Sequence, residues 1–210
     1  MSLLDTRPKA EVKDFIYIKK NSITESFCEH VIKKFNKDPR KGDGVIGFNA
    51  QRVDKTVKDT KDIHISTAEG WEDEDKIFFD ALGIGLQEYS EYLENLNEGC
   101  CKGFPNPTFN SSDTGYKVQK YQPNGHYHWH HDWSMSANPV ASRVFTFMWY
   151  LNTIEEKDEG YTEFADGTKI QPVEGRLIFF PATWTFLHRG YPPKVKKYLC
   201  NGWIHSHPNV

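Results

Sequence analysis

Residues 143–151 read RVFTFMWYL, a run of aromatic and β-branched residues that is typical of a β-strand. Three shorter runs of the same kind follow the middle of the chain, at residues 116–118, 177–180 and 198–204, and turn-forming residues separate them. No helical pattern comes between these strands, which favours packed antiparallel sheets, as in a sandwich or a jelly roll. The sequence therefore predicts a second half that is mainly β.

The first half of the chain has a different pattern. Residues 15–18 predict a short strand, and the capping-box pattern from Ser22 to Glu25 predicts a helix that continues through Phe35. Apolar residues at helical spacing predict a second helix from Asp73 to Leu96, although glycines near its middle weaken that pattern. We expect both helices to support the β-rich half.

Residues 38–62, between the two helices, are rich in Lys, Asp and Gly and have little apolar periodicity. This composition predicts a long solvated loop. Loops of this length are commonly lids or disordered. We therefore predict a mobile lid that proteases cut first, at one of four basic residues: Lys41, Arg52, Lys55 or Lys58.

Composition argues against several classes of protein. The formal net charge is −3 and the lysines are scattered, so no nucleic-acid partner is expected. No signal peptide is visible, and no segment approaches the roughly 20 apolar residues that span a bilayer, so we expect a cytoplasmic protein with no membrane association. The cysteines form no C-x-x-C pair, and we expect reduced thiols at Cys28, Cys100, Cys101 and Cys200.

Residues 121–133, YQPNGHYHWHHDW, place four histidines and one aspartate close together. On a strand, residues two apart share a face, so His130 and Asp132 can hold one ion while His131 points away. The alternative for this H-x-D pattern is a polar strand edge. Two neighbouring histidines, His126 and His128, are expected at the surface or behind the ligands.

A third ligand is predicted at His188, which follows the apolar strand GRLIFFP at residues 175–181. The alternative is a core histidine that is hydrogen-bonded to a carbonyl group. Two histidines and one carboxylate form the facial triad suited to iron(II), which leaves coordination positions open for chemistry. A structural zinc site would more often have four ligands and be rich in cysteine.

These motifs resemble those of the 2-oxoglutarate and iron(II)-dependent dioxygenase superfamily, and within it the prolyl 4-hydroxylase-like branch, over residues 116–205. The pattern Y-x-x-x-G-x-Y-x-x-H-x-D, which ends at Asp132, resembles that branch's first metal segment. Residues 150–152 and 160–164 resemble a strand pair and its following loop, and residues 171–181 resemble the segment before the distal histidine. The usual Gly-Gly of that loop is Glu159-Gly160 in this chain.

The resemblance implies a fold that is mainly β with N-terminal helices (α+β), built on a double-stranded β-helix, or jelly-roll, core. We expect a single domain over residues 1–210, in which residues 1–115 are the helical support and lid region and residues 116–207 are the catalytic core. The implied metal is iron(II), held by His130, Asp132 and His188. The implied cosubstrates are 2-oxoglutarate and O2, with ascorbate as an aid to sustained activity.

The distal carboxylate of 2-oxoglutarate needs a buried cation, and the resemblance places it at Lys197. Strand parity puts Lys197 on one face with Leu199, Asn201 and Trp203. Lys194 and Lys196 are rivals for this role. Tyr121 is expected to hydrogen-bond the cosubstrate, with a core tyrosine as the alternative.

Several aromatic residues are candidates for lining a substrate pocket: Tyr127, Trp149 and Trp203, and beyond these Trp129 and Trp133. The resemblance implies hydroxylation of an unactivated C–H bond, most simply in a prolyl residue of a peptide or protein. Two alternatives remain open. One is a hydroxylase of a free amino acid or other small metabolite, and the other is a non-catalytic, cupin-like metal-binding domain.

Overall fold

The computed structural model describes residues 11–47, 51–96, 111–137 and 140–207. Its N-terminal part begins with a 3-10 turn at Val12–Phe15, strand β1 at Tyr17–Lys19 and helix α1 at Glu25–Lys37. The cap of α1 is Thr24, whose hydroxyl accepts from the Phe27 amide at 3.2 Å. The predicted cap at Ser22 is therefore wrong by two residues, because the Ser22 hydroxyl accepts instead from the Trp149 indole at 3.1 Å.

Residues 38–62 are not the structureless loop that their composition predicts. They contain three two-residue strands, β2 (Gly42–Asp43), β3 (Val45–Ile46) and β4 (Arg52–Val53), and lead into β5 (Lys61–His64). The segment before β5 is also hydrogen-bonded: the Asp59 amide donates to the His126 carbonyl and the His128 amide to the Val57 carbonyl, both at 2.8 Å. Tertiary pairing thus supplies the order that the polar sequence hides, while the predicted lid role stays a prediction.

Lys58 explains part of this order. Its side chain is buried, and its ammonium group lies 2.7 Å from a carboxylate oxygen of Asp62, which also accepts from Thr60 and Gln119. A charged side chain is found inside a protein mainly when it has such a partner. Lys58 is accordingly not one of the accessible protease sites that the loop prediction supposed.

Helix α2 runs over Glu72–Asn95 after a 3-10 turn at Ile65–Thr67, in agreement with the predicted second helix. It packs one face on the sheet through Phe78, Leu82 and Tyr89. Gly85 lies on this face, where an added Cβ would come within 2.6 Å of the Leu177 side chain. This glycine therefore permits close approach of helix and sheet, whereas an added Cβ on Gly83 would meet nothing within 4 Å.

The second half is a succession of antiparallel strands, as the sequence predicts. They are β6 (Ser111–Asp113), β7 (Lys117–Tyr121), β8 (Tyr127–His130), β9 (Met135–Ala137), β10 (Val140–Tyr150), β11 (Thr162–Phe164), β12 (Lys169–Ile170), β13 (Leu177–Pro181), β14 (His188–Gly190) and β15 (Lys197–Ser206), with a 3-10 turn at Glu156–Asp158.

Two main sheets form the double-stranded β-helix core. The described part of the major sheet has the order β1-β13-β10-β15-β7-β5-β2, with β6 beside β15 and β9 beside β10. The minor sheet has the order β12-β11-β14-β8, and β3 with β4 forms a separate hairpin. Strand β8 and strand β14 therefore lie side by side, with His130 opposite His188 in the register.

Alternation along the major sheet separates two environments. On β10, Phe145, Phe147 and Trp149 face the helices and belong to the larger apolar core. Residues of the opposite parity, Met148 and Tyr150, face the minor sheet and belong to a second apolar cluster. The space between the two sheets is where the candidate site lies.

The loop after the 3-10 turn keeps an unusual backbone. Glu159 has φ 59° and ψ −131°, and Gly160 has φ 72°. These are conformations that favour glycine, and Glu159 occupies the position where the resembling family has the first glycine of its pair. Glu159 therefore adopts a backbone conformation that glycine takes more readily.

Two further expectations concern thiols and membranes. Cys28 and Cys200 are free and buried, as predicted, whereas Cys100 and Cys101 lie outside the described residues. Among the helices that the structure describes, none is both long enough and apolar enough to cross a membrane.

Candidate metal centre

The two sheets bring His130, Asp132 and His188 together. One ligand atom from each lies within 4.8 Å of the others, and within the described residues this is the group of His, Cys, Asp and Glu side chains that could hold a metal ion. The Nε2 atom of His130 is 3.7 Å from Oδ1 of Asp132, and the Nε2 atom of His188 is 3.5 Å from Oδ2. These separations leave a position between the three side chains for one ion.

Both histidines are oriented by the carbonyl group of the residue two positions earlier in the chain. The Nδ1 atom of His130 lies 2.7 Å from the His128 carbonyl, and the Nδ1 atom of His188 lies 2.9 Å from the Phe186 carbonyl. An Nδ1–H that donates to a carbonyl leaves the Nε2 lone pair for a metal. Burial, reinforced by His188, holds the pKa of His130 well below its ordinary value, so this ring is neutral at pH 7.

Asp132 reaches the site in a way that strand parity did not foresee. Strand β8 ends at His130, so Asp132 lies in the loop that follows it. Thr146, on β10 of the major sheet, donates to its Oδ2 atom at 2.7 Å. Burial would raise the pKa of Asp132, but the neighbouring histidines and this hydroxyl outweigh it and hold the pKa below the ordinary value.

Tyr127 packs directly on one metal ligand. Its ring is stacked on the His130 ring with centroids 3.6 Å apart and an interplanar angle of 20°. The buried ammonium group of Lys58 lies 5.2 Å from the Tyr127 ring centroid, on the side of the segment that precedes β5. The imidazole of His130 is thus fixed by a hydrogen bond and by an aromatic neighbour.

The three side chains line a cavity of about 570 Å³ between the sheets. This volume lies within the range of about 300–1,000 Å³ that is usual for ligand pockets. Strand β15 contributes Lys197, Leu199, Asn201 and Trp203 to its wall, which agrees with the strand parity read from the sequence. His131 is exposed and is not one of the grouped ligands.

Lys197 is fully buried, and its ammonium group has no hydrogen-bond partner among the described residues. It lies over two rings, 5.1 Å from the Tyr121 centroid and 5.5 Å from the Tyr150 centroid. Burial lowers its pKa from 10.5 to about 7. A buried and unpartnered cation is costly, so this arrangement indicates a site for an anion.

The rival lysines lie elsewhere. Lys194 and Lys196 are both exposed, and Lys194 is within 3.5 Å of Glu159. Tyr121 is buried, lines the cavity, and pairs across the strands with Lys197. The structure therefore brings Lys197 and Tyr121 to one end of the cavity, and their part in cosubstrate binding remains a proposal.

The predicted substrate residues do not all reach the cavity. Tyr127 and Trp203 line it, as does Trp133. Trp149 does not: it is fully buried on the helical face of β10 and packs against Phe78 at 5.1 Å between centroids. That prediction is wrong because Trp149 has the opposite strand parity to Met148, which does line the cavity.

The sequence analysis did not assign Lys58, Lys117 or Arg143 to the cavity, which all three line, and it did not single out Thr146, which donates to Asp132. For Thr146 a signal existed, because a polar residue interrupts the apolar run RVFTFMWYL. Nothing in the sequence distinguishes Lys58 or Lys117 from the other lysines. Only the folded chain buries Lys58 and places half-buried Lys117 at the cavity wall.

The residues present fit both an iron(II) ion and 2-oxoglutarate. Two imidazoles and one carboxylate are the donor set of non-haem iron sites with open coordination positions. The unpartnered ammonium group of Lys197 is the cation that the far carboxylate of a bound 2-oxo acid would need. The donor set and the cation open into the same cavity.

Comparison with known proteins agrees with this chemistry. Residues 116–205 match the model of the 2OG-Fe(II) oxygenase superfamily. No curated protein matches the chain significantly. The matched residues contain the strands that carry His130, His188 and Lys197.

Solved structures of prolyl hydroxylases share the fold at low sequence identity. A prolyl hydroxylase from Trichoplax adhaerens, in complex with a hypoxia inducible factor peptide fragment, is 17% identical, with a TM-score of 0.70 over 91% of this chain and 83% of that one. The viral collagen prolyl hydroxylase of Paramecium Bursaria Chlorella virus-1, in its 2OG complex, is 20% identical, with a TM-score of 0.58 over 91% and 96%.

A Pseudomonas putida prolyl-4-hydroxylase is 16% identical, with a TM-score of 0.60 over 92% of this chain and 94% of that one. At such identities the similarity establishes the fold alone. The chain therefore has a prolyl 4-hydroxylase-like fold, and its residues 116–205 are similar to the 2OG-Fe(II) oxygenase superfamily.

Proposed function

We propose that this protein is a 2-oxoglutarate and iron(II)-dependent dioxygenase that hydroxylates a prolyl residue in a peptide or protein, with His130, Asp132 and His188 as its iron ligands. The observation that carries its cosubstrate chemistry is Lys197, a buried ammonium group with no partner in the described structure, which faces the same cavity as the triad. The prolyl assignment is supported by the fold, which is shared with prolyl hydroxylases, one of them bound to a peptide.

Each residue has a distinct part in this proposal. Lys197 binds the far carboxylate of 2-oxoglutarate, and the Tyr121 hydroxyl donates a hydrogen bond to the same cosubstrate. Thr146 and the two backbone carbonyls hold the ligand side chains in the orientation that the ion needs. Tyr127 and Trp203 line the cavity and exclude water from it.

Bound iron(II) and 2-oxoglutarate would supply the activation of O2 that an unactivated C–H bond requires, and ascorbate would keep the iron reduced. The protein's own contribution is to place the target carbon near the open coordination positions. The cavity of about 570 Å³ is large enough for the cosubstrate and one residue of a substrate. A hydroxylase of a free amino acid or small metabolite remains the second candidate.

The test is succinate release from 2-oxoglutarate by protein loaded with iron(II) and ascorbate, with and without a library of proline-containing peptides. Proline-dependent succinate and a gain of one oxygen atom in a peptide are expected. His130→Ala, Asp132→Ala and His188→Ala should each abolish iron binding and turnover, because a three-ligand site has no spare ligand.

His131→Ala is the matched control, since His131 is the exposed histidine between two proposed ligands and should leave iron binding unchanged. Succinate release with small metabolites but with no peptide would support the second candidate. Failure of the iron-loaded protein to bind 2-oxoglutarate would support a non-catalytic, cupin-like metal-binding domain instead.

A further inference from the structure

Two cationic side chains lie close to one indole ring in the cavity. The ammonium group of Lys117 lies 5.0 Å from the ring centroid of Trp203, and the guanidinium carbon of Arg143 lies 3.6 Å from it. All three side chains line the same cavity as the metal triad. They come from three neighbouring strands of the major sheet, β7, β10 and β15.

The carboxylates that line this cavity are already engaged. Asp43 pairs with Lys55 and Lys61, and Asp62 pairs with buried Lys58. Asp132 belongs to the triad and accepts from Thr146. Among the described residues no carboxylate lies within ion-pair distance of Lys117, so its ammonium group forms no ion pair in that part of the chain.

The net charge of the site with iron(II) and 2-oxoglutarate bound also leaves a positive charge at Lys117. Iron(II), Lys197 and Asp132 together carry a charge of about +2, which a 2-oxoglutarate dianion offsets. Lys117 then remains as positive charge in the cavity. Burial and the nearby Lys58 lower the pKa of Lys117 to about 8, so its ammonium form still predominates at pH 7.

We propose that the substrate carries a carboxylate, which Lys117 and Arg143 bind beside Trp203. This inference rests on the proposed function, because it describes the substrate of the same cavity. The carboxylate belongs either to a free amino acid or to an acidic side chain next to the oxidised residue of a peptide. A carboxylate beside both cations offsets their positive charge and replaces water that each half-buried side chain has lost.

Matched pairs of acid and amide test this proposal, with Zn(II) in place of iron so that binding is measured without turnover. The probes are L-proline with L-prolinamide, N-acetyl amino acids with their carboxamides, and peptides that contain Asp-Pro or Asn-Pro. Titration calorimetry of the protein loaded with Zn(II) and 2-oxoglutarate should show at least one acid that binds about tenfold more tightly than its amide.

Lys117→Met is the informative variant, because Arg143 also donates to the Asp132 backbone carbonyl at 3.3 Å and its loss would disturb the metal loop. In Lys117→Met the preference for the acid should fall about tenfold, with the affinity for the amide and for 2-oxoglutarate unchanged. Lys120→Met is the matched control: this lysine is on the same strand, β7, but lies over Tyr198 and outside the cavity.

Equal binding of acid and amide in every pair, including no binding of either, would overturn the proposal. So would an equal loss of both in Lys117→Met, since the lysine would then act only by holding Trp203. Failure of this proposal can be distinguished from failure of the proposed function. Succinate release without any preference for acids removes only the carboxylate site, whereas a preference for acids without 2-oxoglutarate binding removes only the dioxygenase assignment.

Discussion

At the scale of single residues, Thr146 links the major sheet to the proposed metal ligands. Its side chain is fully buried, and its hydroxyl donates to Asp132 at 2.7 Å. Thr146→Val keeps the shape but removes the hydrogen bond, so we expect metal affinity to fall by about 10- to 100-fold. The measurement is Co(II) titration followed by visible absorbance.

Thr146→Ser should restore most of that affinity, because it returns the hydroxyl without the methyl group. Unchanged Co(II) affinity in Thr146→Val, with a normal unfolding transition, would mean that Asp132 is held by its loop alone. In that case the link between the sheets has no part in metal binding.

A second prediction concerns Lys197 and the pH dependence of the free energy of unfolding. Its pKa is lowered from 10.5 to about 7 by burial, so between these pH values the unfolded chain binds more protons at this residue than the folded chain does. The destabilisation from Lys197 is therefore complete below pH 7 and declines as the pH rises towards 10.5. Lys197→Met should raise the free energy of unfolding without cosubstrate, and by more at pH 6 than at pH 9.

Urea unfolding at both pH values measures this difference. The same variant should lose 2-oxoglutarate binding, which separates stability from function at one position. A loss of stability at both pH values would show that the ammonium group has a favourable partner, contrary to the structure.

At the scale of elements, helix α2 contains a matched pair of glycines with opposite expected effects. Gly83 is exposed with open space around it, so Gly83→Ala should stabilise the protein by about 0.5–1 kcal/mol. Gly85→Ala should destabilise it, because the new Cβ would come within 2.6 Å of Leu177 and 3.1 Å of Phe179.

Thermal unfolding of the two variants decides between these expectations. Equal stabilisation by both would show that the helix can move away from the sheet without loss. The sequence alone predicts that both glycines weaken the helix equally, and it is the packing on β13 that makes them different.

At the scale of the whole molecule, the proposed ligands join parts of the chain that are far apart in sequence. His130 ends β8, His188 begins β14, and the hydroxyl that orients Asp132 comes from β10. A ligand that binds only this folded arrangement stabilises the entire chain. Iron(II) with 2-oxoglutarate, each at 100 times its dissociation constant and without oxygen, should add about 2.7 kcal/mol or more.

For a domain of this size that corresponds to a rise in Tm of about 5–10 °C. Scanning calorimetry with and without the ligands measures it, and chelation of the metal should reverse it. His188→Ala should show no rise. A rise that persists in that variant would place the metal elsewhere on the protein.

The local pattern of the sequence determined much of this protein. The strand runs, helix α2, the H-x-D motif with His188, and the parity that puts Lys197 on one face with Trp203 are all present in the structure. The physical reason is that hydrophobic period and strand alternation are properties of neighbouring residues. They need no knowledge of what packs against them.

Tertiary structure alone decided which face of each strand meets the cavity. It put Trp149 in the helical core, turned the polar segment before β5 into a partner of β8, buried Lys58, and placed half-buried Lys117 at the cavity wall. The sequence alone does not show whether a lysine side chain is solvated or buried. Its charge acquires a role only when distant strands remove the water around it, and that depends on contacts between residues far apart in the chain.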